Sequence, residues 1–434
     1  MESKIKKIYI EKRSEAKILD YLKDDLLEFE EFEPEVKEII TKIKNEGDNA
    51  IYYYLNKFDK VDLNPPYPIK VAEEEIEEAY KKVDKKILMA FEKIIKRVRR
   101  FHENQKEKSW IKYDKEGSIY GTIIKPLKRV GVYVPGGRAS YPSTLIMGTI
   151  PAQVAGVSQI VIATPPDSSF KISPYILALA RLLNISEIYK IGGAYAIGAF
   201  AYGTESVKPV DKIIGPGNIY VTIAKKIVWG DVDIDSLAGP SEVVIIADEK
   251  GNSKDIVLDM ISQAEHDPYA RAILISPSDK LIKEVEGRLF NEIKKQKRKD
   301  IIFESIVKKG AIVKVDDLES AISVSNYIAP EHLQLVVNNP FSYLPRIENA
   351  GAIFLGYYAS VPLGDYIAGT NHILPTRRRA RFSSGLGTHE FYKRMDFFYS
   401  EKEISQELGE IASLVAEIEG LFAHKDRLLS RRET

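Results

Sequence analysis

A regular alternation of short β-rich runs and helix-like stretches, from Gly131 to Gly239, constrains this chain more than any other feature. The runs fall at Val130–Val134, Ile160–Ala163, Glu187–Ile191 and Lys212–Ile214, with helical patterns at Thr144–Val157, Pro174–Leu183 and Ala194–Tyr202 between them. Their starts lie roughly 25–30 residues apart, the period of a βαβ unit. The spacing predicts a parallel-sheet region of the nucleotide-binding type. A second set of strands follows Pro240, at Val243–Ala247, Ala272–Ser276, Ala311–Val315, Leu333–Val337 and Ala352–Leu355, with helical segments such as Ser253–His266 and Lys280–Lys294 between some of them. The first hundred residues read as helical, with apolar positions three and four apart in Ile87–Ile95 and breaks at Gly47 and Pro65-Pro66. From Thr388 onward the pattern reads as helical again, ending in Ile404–Arg427. The expectation is an α/β protein with two parallel-sheet units and helical extensions at both ends.

Composition narrows the function. Lys+Arg and Asp+Glu both number 63, so the formal net charge is zero, whereas a chain built to coat nucleic acid or an anionic membrane carries a basic excess. A small-molecule enzyme fits better. No cysteine is present, which removes disulfides, thiolate metal ligands and thiol nucleophiles together. The stretch Met1–Asp25 is highly charged and lacks the apolar core of a signal peptide. The most apolar stretch, Thr144–Pro165, is interrupted by Pro151, Gln153, Ser158 and Gln159 and reads as a buried helix and strand, not a membrane span. A cytoplasmic location is expected.

Six histidines are present, and five of them follow residue 260. Gln263 and His266 stand three apart near the end of a predicted helix, so they share a face, and an amide oxygen with a neutral imidazole suits zinc. A helix end with a dipole-favoured histidine is the plainer reading. Glu331 and His332 come just before a predicted strand, where both can border one pocket and divide proton work; an exposed loop pair is the alternative. Asp365 and His372 flank a glycine-bearing loop, as a metal ligand and a substrate contact or as solvated loop residues. Glu419 and His424 are five apart, and on a straight helix they would splay by roughly 140° unless Gly420 bends it. Three glycine turns follow predicted strands, Tyr133–Gly137, Gly192-Gly193 and Gly215–Asn218, where backbone N–H groups could approach a pyrophosphate or simply turn the chain. The run Arg377, Arg378, Arg379, Arg381 reads as a charged turn or a subunit contact rather than a phosphate site.

Singly these signals are modest, but their order and wording are specific. GVYVPGG (131–137), KIIGPGN (212–218), LAGPSEVVIIAD (237–248), SQAEHDP (262–268), APEHL (329–333), GDYIAGTNHILPT (364–376) and EGLFAH (419–424) together resemble the histidinol dehydrogenases over essentially the whole chain. The resemblance implies two Rossmann-like parallel-sheet domains in an aldehyde-dehydrogenase-like arrangement. One would comprise residues 25–130 with 240–385, the other, NAD-binding, 131–239. A helical extension would span 1–24, and a helical tail, 386–434, would reach the partner subunit. It implies zinc ligands at Gln263, His266, Asp365 and His424, an acid–base pair at Glu331 and His332, and substrate contacts at Ser241, His372 and Glu419 alongside the zinc ligands and His332. It implies NAD contacts at Tyr133, Tyr195 and Asn218, and a homodimer in which Glu419 and His424 serve the other subunit. Where the family often has Gln, this chain has Tyr195, which could stack or hydrogen-bond through its hydroxyl.

The implied chemistry is oxidation of L-histidinol to L-histidine through a bound aldehyde, with two NAD reduced and one zinc per subunit. His332 would take the alcohol proton. Glu331 would deprotonate the water that attacks the aldehyde, since no cysteine is present to form a thiohemiacetal. A related dehydrogenase acting on another polar alcohol, a zinc hydrolase and a non-catalytic zinc scaffold are the competing readings.

Overall fold

The computed structural model describes every residue except 1–3, 11–17, 19–20, 22–28, 62–66, 137–140 and 431–434, so Gly137 of the first glycine turn lies outside it. Early in the chain are β1 (Lys6–Tyr9), β2 (Trp110–Tyr113), β3 (Ile119–Pro126) and β4 (Arg129–Tyr133). Then come β5 (Gln159–Ala163), β6 (Ile188–Tyr189), β7 (Lys212–Ile214) and β8 (Asp233–Ile234). The later strands are β9 (Glu242–Ala247), β10 (Arg271–Ser276), β11 (Ala311–Lys314), β12 (His332–Val336), β13 (Ala352–Leu355) and β14 (Tyr392–Tyr399). Five helices matter to the site: α1 (Gly193–Tyr202), α2 (Ile219–Val228), α3 (Ser253–Ala264), α4 (Lys402–Ile418) and α5 (Phe422–Leu429).

Two parallel sheets carry the molecule, as the repeated βαβ spacing predicts. One runs β6-β5-β4-β7-β8 and the other β1-β11-β10-β9-β12-β13. Every residue of β4, β9, β10 and β12 is buried, as strands covered by helices on both faces require. Each sheet has its own pair of apolar clusters, one containing Val161 and Ile213 and one Val132 and Ile214 for the five-stranded sheet, and one containing Ile245 and one Ile246 for the six-stranded sheet. Beyond the added edge strand β1, both sheets follow the same winding, outward from the first strand in one direction and then back past it in the other. The reversal falls between β4 and β7 in one and between β9 and β12 in the other. At such a switch point the loops at the carboxyl ends of the strands part and leave a crevice.

The structure corrects the sequence reading at the N-terminal extension and at the tail, and adds strands between the early helices and β4. The N-terminal extension, expected to be helical, contributes β1, which pairs in parallel with β11 from Lys6↔Ala311 to Tyr9↔Lys314. Only Ile8 of this strand is buried, so four residues supplied too little pattern to detect. Between the long helix Lys85–Glu103 and β4, where the sequence reading named no element, lie β2 and β3. The tail expected to be helical from 386 opens with β14, which joins them in an antiparallel sheet of order β14-β3-β2. This sheet is exposed along much of both faces, so its strands lack the strict alternation that marks a half-buried strand. The aromatic-rich run Tyr-Lys-Arg-Met-Asp-Phe-Phe-Tyr at 392–399 was the available signal for β14. Among the described residues, no helix is long and apolar enough to cross a membrane.

Candidate active site

The acid–base candidates sit at the amino edge of the β9/β12 switch point. β12 begins at His332 and pairs with β9 through His332↔Val243, which places Glu331 and His332 beside Ser241 and Glu242. The Glu242 backbone holds both. Its N–H donates to Glu331 Oε2 at 2.8 Å, and its carbonyl lies 3.0 Å from His332 Nδ1. A carbonyl only accepts, so Nδ1 carries a proton and Nε2 is left as the nitrogen that can take one. His332 Nε2 is buried without a hydrogen-bond partner and lies 3.4 Å from Asp365 Oδ1, close but not aligned for a bond. Glu331 Oε2 is 3.6 Å from Nδ1.

Burial governs the charge of this pair. It pushes the Glu331 carboxyl up to about 8, with the His332 imidazole opposing it. Burial also works to discharge His332, but the Glu331 and Asp365 carboxylates more than offset it and raise its pKa. Both groups therefore hold protons to higher pH than they would in water.

The other candidates converge on the same edge. In a parallel βαβ unit the helix runs back against the strands, so α3, between β9 and β10, ends at their amino edge. It ends at Ala264, with Gln263 buried in its last turn and His266 just beyond, where the His266 N–H donates to the Gln263 carbonyl at 3.3 Å. Asp259, one turn before Gln263 on the same face, accepts a hydrogen bond of 2.7 Å from Gln334 Nε2. Gln334 lies two residues beyond His332 on the same face of β12, so this bond fastens α3 to the strand that carries the acid–base pair. Asp365 lies in a π-helical turn, Gly364–Ala368, where a Cβ at Gly364 would overlap the Phe354 ring. Burial raises the Asp365 pKa, but the imidazoles of His332, His372 and His266 more than offset that and keep it ionised. His266 and His372 are held neutral, chiefly by burial and against the pull of Asp365. His372 Nδ1 donates to the Asp365 carbonyl at 2.9 Å, so its Nε2 is the free nitrogen.

These donors suit a divalent cation. The Gln263 amide is buried at the negative end of a helix with its Nε2 unpartnered, so a turn of the amide would offer its oxygen instead. His266 is held neutral and Asp365 ionised. Amide oxygen, imidazole nitrogen and carboxylate oxygen are ligands that zinc accepts. Among the described residues, no group of three or more His, Asp or Glu in this chain could hold a metal.

Glu419 and His424 are the two candidates the structure leaves apart. α4 ends at Ile418, Gly420 adopts φ 72, and α5 begins at Phe422, so the glycine supplies the bend that the five-residue spacing demands. α5 packs mainly on α4, and both Glu419 and His424 are exposed. Ile411, Leu414, Val415, Ile418, Leu421 and Phe422 on this helical pair are exposed as well.

The glycine turns lie at the opposite, carboxyl edge of the five-stranded sheet. Tyr133 ends β4, and its hydroxyl accepts the Gly193 N–H at 3.0 Å, at the start of α1. Asn218 caps α2, accepting from Val221 N at 3.2 Å. Tyr195 is in the core, where its hydroxyl donates to Asp59 at 2.6 Å and its ring stacks on Tyr54. The segment 235–242 joins this edge to β9. The arginine run braces it. Arg377 N donates to Glu242 Oε1 at 2.9 Å, Arg379 donates to the Leu237 carbonyl, and Arg378 donates to the Tyr327 carbonyl at 3.0 Å. The Glu242 backbone, Asp259 and Gln334 were missed in the sequence, because strand adjacency decides their roles.

A doubly wound pair of sheets with a buried Glu–His pair at one switch point and glycine turns at the other is the layout of an α/β enzyme. Comparison with known proteins makes this particular. The histidinol dehydrogenase family model matches residues 23–432. A histidinol dehydrogenase of Methanocaldococcus jannaschii is 46% identical over 98% of each chain, and one of Aquifex aeolicus is 47% identical over 94% of each. A solved histidinol dehydrogenase of Elizabethkingia anophelis superposes with a TM-score of 0.92 at 36% identity, covering 99% of this chain and 98% of its own. The chain belongs to the histidinol dehydrogenase family.

Proposed function

We propose that this enzyme oxidises L-histidinol to L-histidine in two successive hydride transfers to NAD, closing histidine biosynthesis in the cytoplasm, as a zinc-dependent homodimer. The observation that carries this reading is the Glu331–His332 dyad. One backbone residue, Glu242, fixes the imidazole tautomer and orients the carboxyl beside it.

Gln263, His266 and Asp365 of one subunit, with His424 of the partner subunit, are the residues that would hold zinc, whose chemistry is to fix the imidazole and amino nitrogens of histidinol. NAD supplies the hydride acceptor and would lie along the carboxyl edge of the five-stranded sheet, near Tyr133 and Asn218. Tyr195 supports that edge from the core. Ser241, His372 and the partner subunit's Glu419 would contact the substrate.

His332, once Nε2 has lost the proton that the neighbouring carboxylates hold on it up to about pH 9, takes the alcohol proton there as the first hydride leaves. Its pinned Nδ1–H keeps that nitrogen pointed at the substrate through the transfer. For the second oxidation the carbonyl must be hydrated, and Glu331 accepts the proton of the attacking water. Both groups are buried, so bulk water is kept from competing for the protons they move.

The test is absorbance at the NADH band with histidinol and NAD, before and after chelation and zinc restoration. Two NADH per histidinol, lost on chelation and regained with zinc, is the expected result. A zinc hydrolase produces no NADH, and a related alcohol dehydrogenase turns over another amino or sulfonate alcohol faster than histidinol.

A further inference from the structure

The turn Gly215–Asn218 is held by a buried ion pair outside the chemistry described above. Lys225, on α2, and Asp235, just after β8, are in contact with side chains only 2% and 4% exposed. The side-chain bonds of the pair reach this turn and the segment leaving β8. Lys225 Nζ donates to the Gly215 carbonyl at 2.9 Å and to Asp235 Oδ1. Asp235 Oδ2 accepts the Gly215 N–H at 2.8 Å, and Oδ1 accepts the Ser236 N–H at 2.6 Å. Both backbone groups of Gly215 are therefore fixed from outside the turn.

Gly215 needs that support. Its φ is +112°, and a Cβ there would overlap the Tyr133 carbonyl oxygen, so the turn presses directly on the end of β4. An apolar pair of similar volume could hold α2 against the sheet and is often no less stable than a buried ion pair. It could not bond an N–H and a C=O of the same residue.

The contacts continue along the segment. One turn back on α2, Thr222 Oγ1 donates to the Ala238 carbonyl at 3.0 Å. The Gly239 N–H donates to Thr376 Oγ1 at 2.6 Å. Glu242, three residues on, holds Glu331 and His332. Residues 235–242 are thus anchored at several points between the glycine turn and the Glu331–His332 pair.

We infer that Lys225 and Asp235 are positioning residues that set the shape of the Gly215–Asn218 turn and, through residues 235–242, its placement relative to Glu331 and His332. The inference rests on the reading that this turn receives NAD. Neither residue touches the reacting atoms; they act through the Gly215 backbone.

The experiment titrates NADH, by its own fluorescence, into the zinc-loaded enzyme and into Lys225→Met, Asp235→Asn and Thr222→Val, with KM for NAD and for histidinol measured on each. Lys225→Met and Asp235→Asn should raise the NADH Kd and the KM for NAD about tenfold, and Thr222→Val less, the loss of one or two bonds to a charged group. KM for histidinol and zinc content should stay within about twofold. A purely structural role would lower the active fraction and kcat without moving either KM. Should Lys225→Met not fold, Asp235→Asn, which keeps the volume, and Thr222→Val carry the same test. NADH binding within about twofold of wild type in the folded variants would overturn the inference while leaving the NAD reading intact. No NADH binding by the wild type would overturn both.

Discussion

The amino edge of β9 and β12 and the helical pair α4–α5 both carry residues of the expected site, and they could hardly be more different in surroundings. At the sheet edge Glu331 and His332 are buried and pinned to one backbone residue, and Asp365 is kept ionised by three imidazoles. On the helical pair Glu419 and His424 lie in the open, next to Ile418 at 86% exposed and Phe422 at 63%. A row of large apolar side chains left bare on a charged chain marks a contact surface. The difference fits the proposed reading, in which the buried region is one half of a site and the exposed tail is offered to a second copy. Isologous two-fold pairing would supply each half-site with the other chain's tail.

Removing the proton acceptor from the buried half has the largest expected effect. His332→Ala should lower kcat by about 10²–10⁴-fold with the fold intact. Glu331→Gln should leave the first oxidation measurable and cripple the second, by a similar factor. Rapid-quench sampling of the aldehyde separates the two steps, and equal impairment of both would contradict the division of labour between the residues. The donor half breaks differently. Ile418→Glu or Phe422→Asp should convert dimer to monomer by light scattering and abolish turnover, while leaving the sheet-edge residues in place. A fully active monomer would remove the contrast between the regions.

The pH profile gives a smaller effect and touches only the buried half. Burial holds the Glu331 carboxyl up at about 8, and only the carboxylate can accept a proton from water. The second oxidation should therefore speed up as pH rises through about 8, in the direction opposite to a group needed protonated, and Glu331→Gln should flatten that rise. An equally steep profile in the variant would assign the titration elsewhere. The smallest effect lies at the root of the tail. Burial works to raise the Glu390 pKa, but His389 and Lys212 more than offset it and hold it at about 2. A depressed carboxyl contributes stability that is full above its unfolded value near 4.5 and is lost as pH falls toward 2. Glu390→Gln should cost up to about 3 kcal/mol at neutral pH and progressively less below pH 4. Denaturant melts at pH 7 and pH 3 measure the difference.

Much of the scaffold is legible in the chain because parallel strands impose a long period. The runs at Val130–Val134 and Val243–Ala247 fall on β4 and β9 within a residue. β1, β2, β3 and β14 were not legible, since short or two-sided exposed strands carry no apolar rhythm. The site divides in the same way. Glu331-His332 at a strand mouth and the Gly420 bend could be anticipated from local sequence. Lys225 with Asp235, and Gln334 with Asp259, are tertiary pairs of ordinary-looking residues. The Glu242 backbone, which holds both dyad side chains, has no side-chain signature at all.

The central claim, that each active site joins the sheet edge of one subunit to the tail of the other, is tested most directly by mixing two inactive variants. His332→Ala disables the edge and His424→Ala the tail. Co-refolded in equal amounts, half of the dimers are mixed, and each holds one site with both parts intact, so about a quarter of wild-type activity should return. If each tail serves its own chain, no mixed dimer has an intact site, and the mixture would stay as inactive as its components.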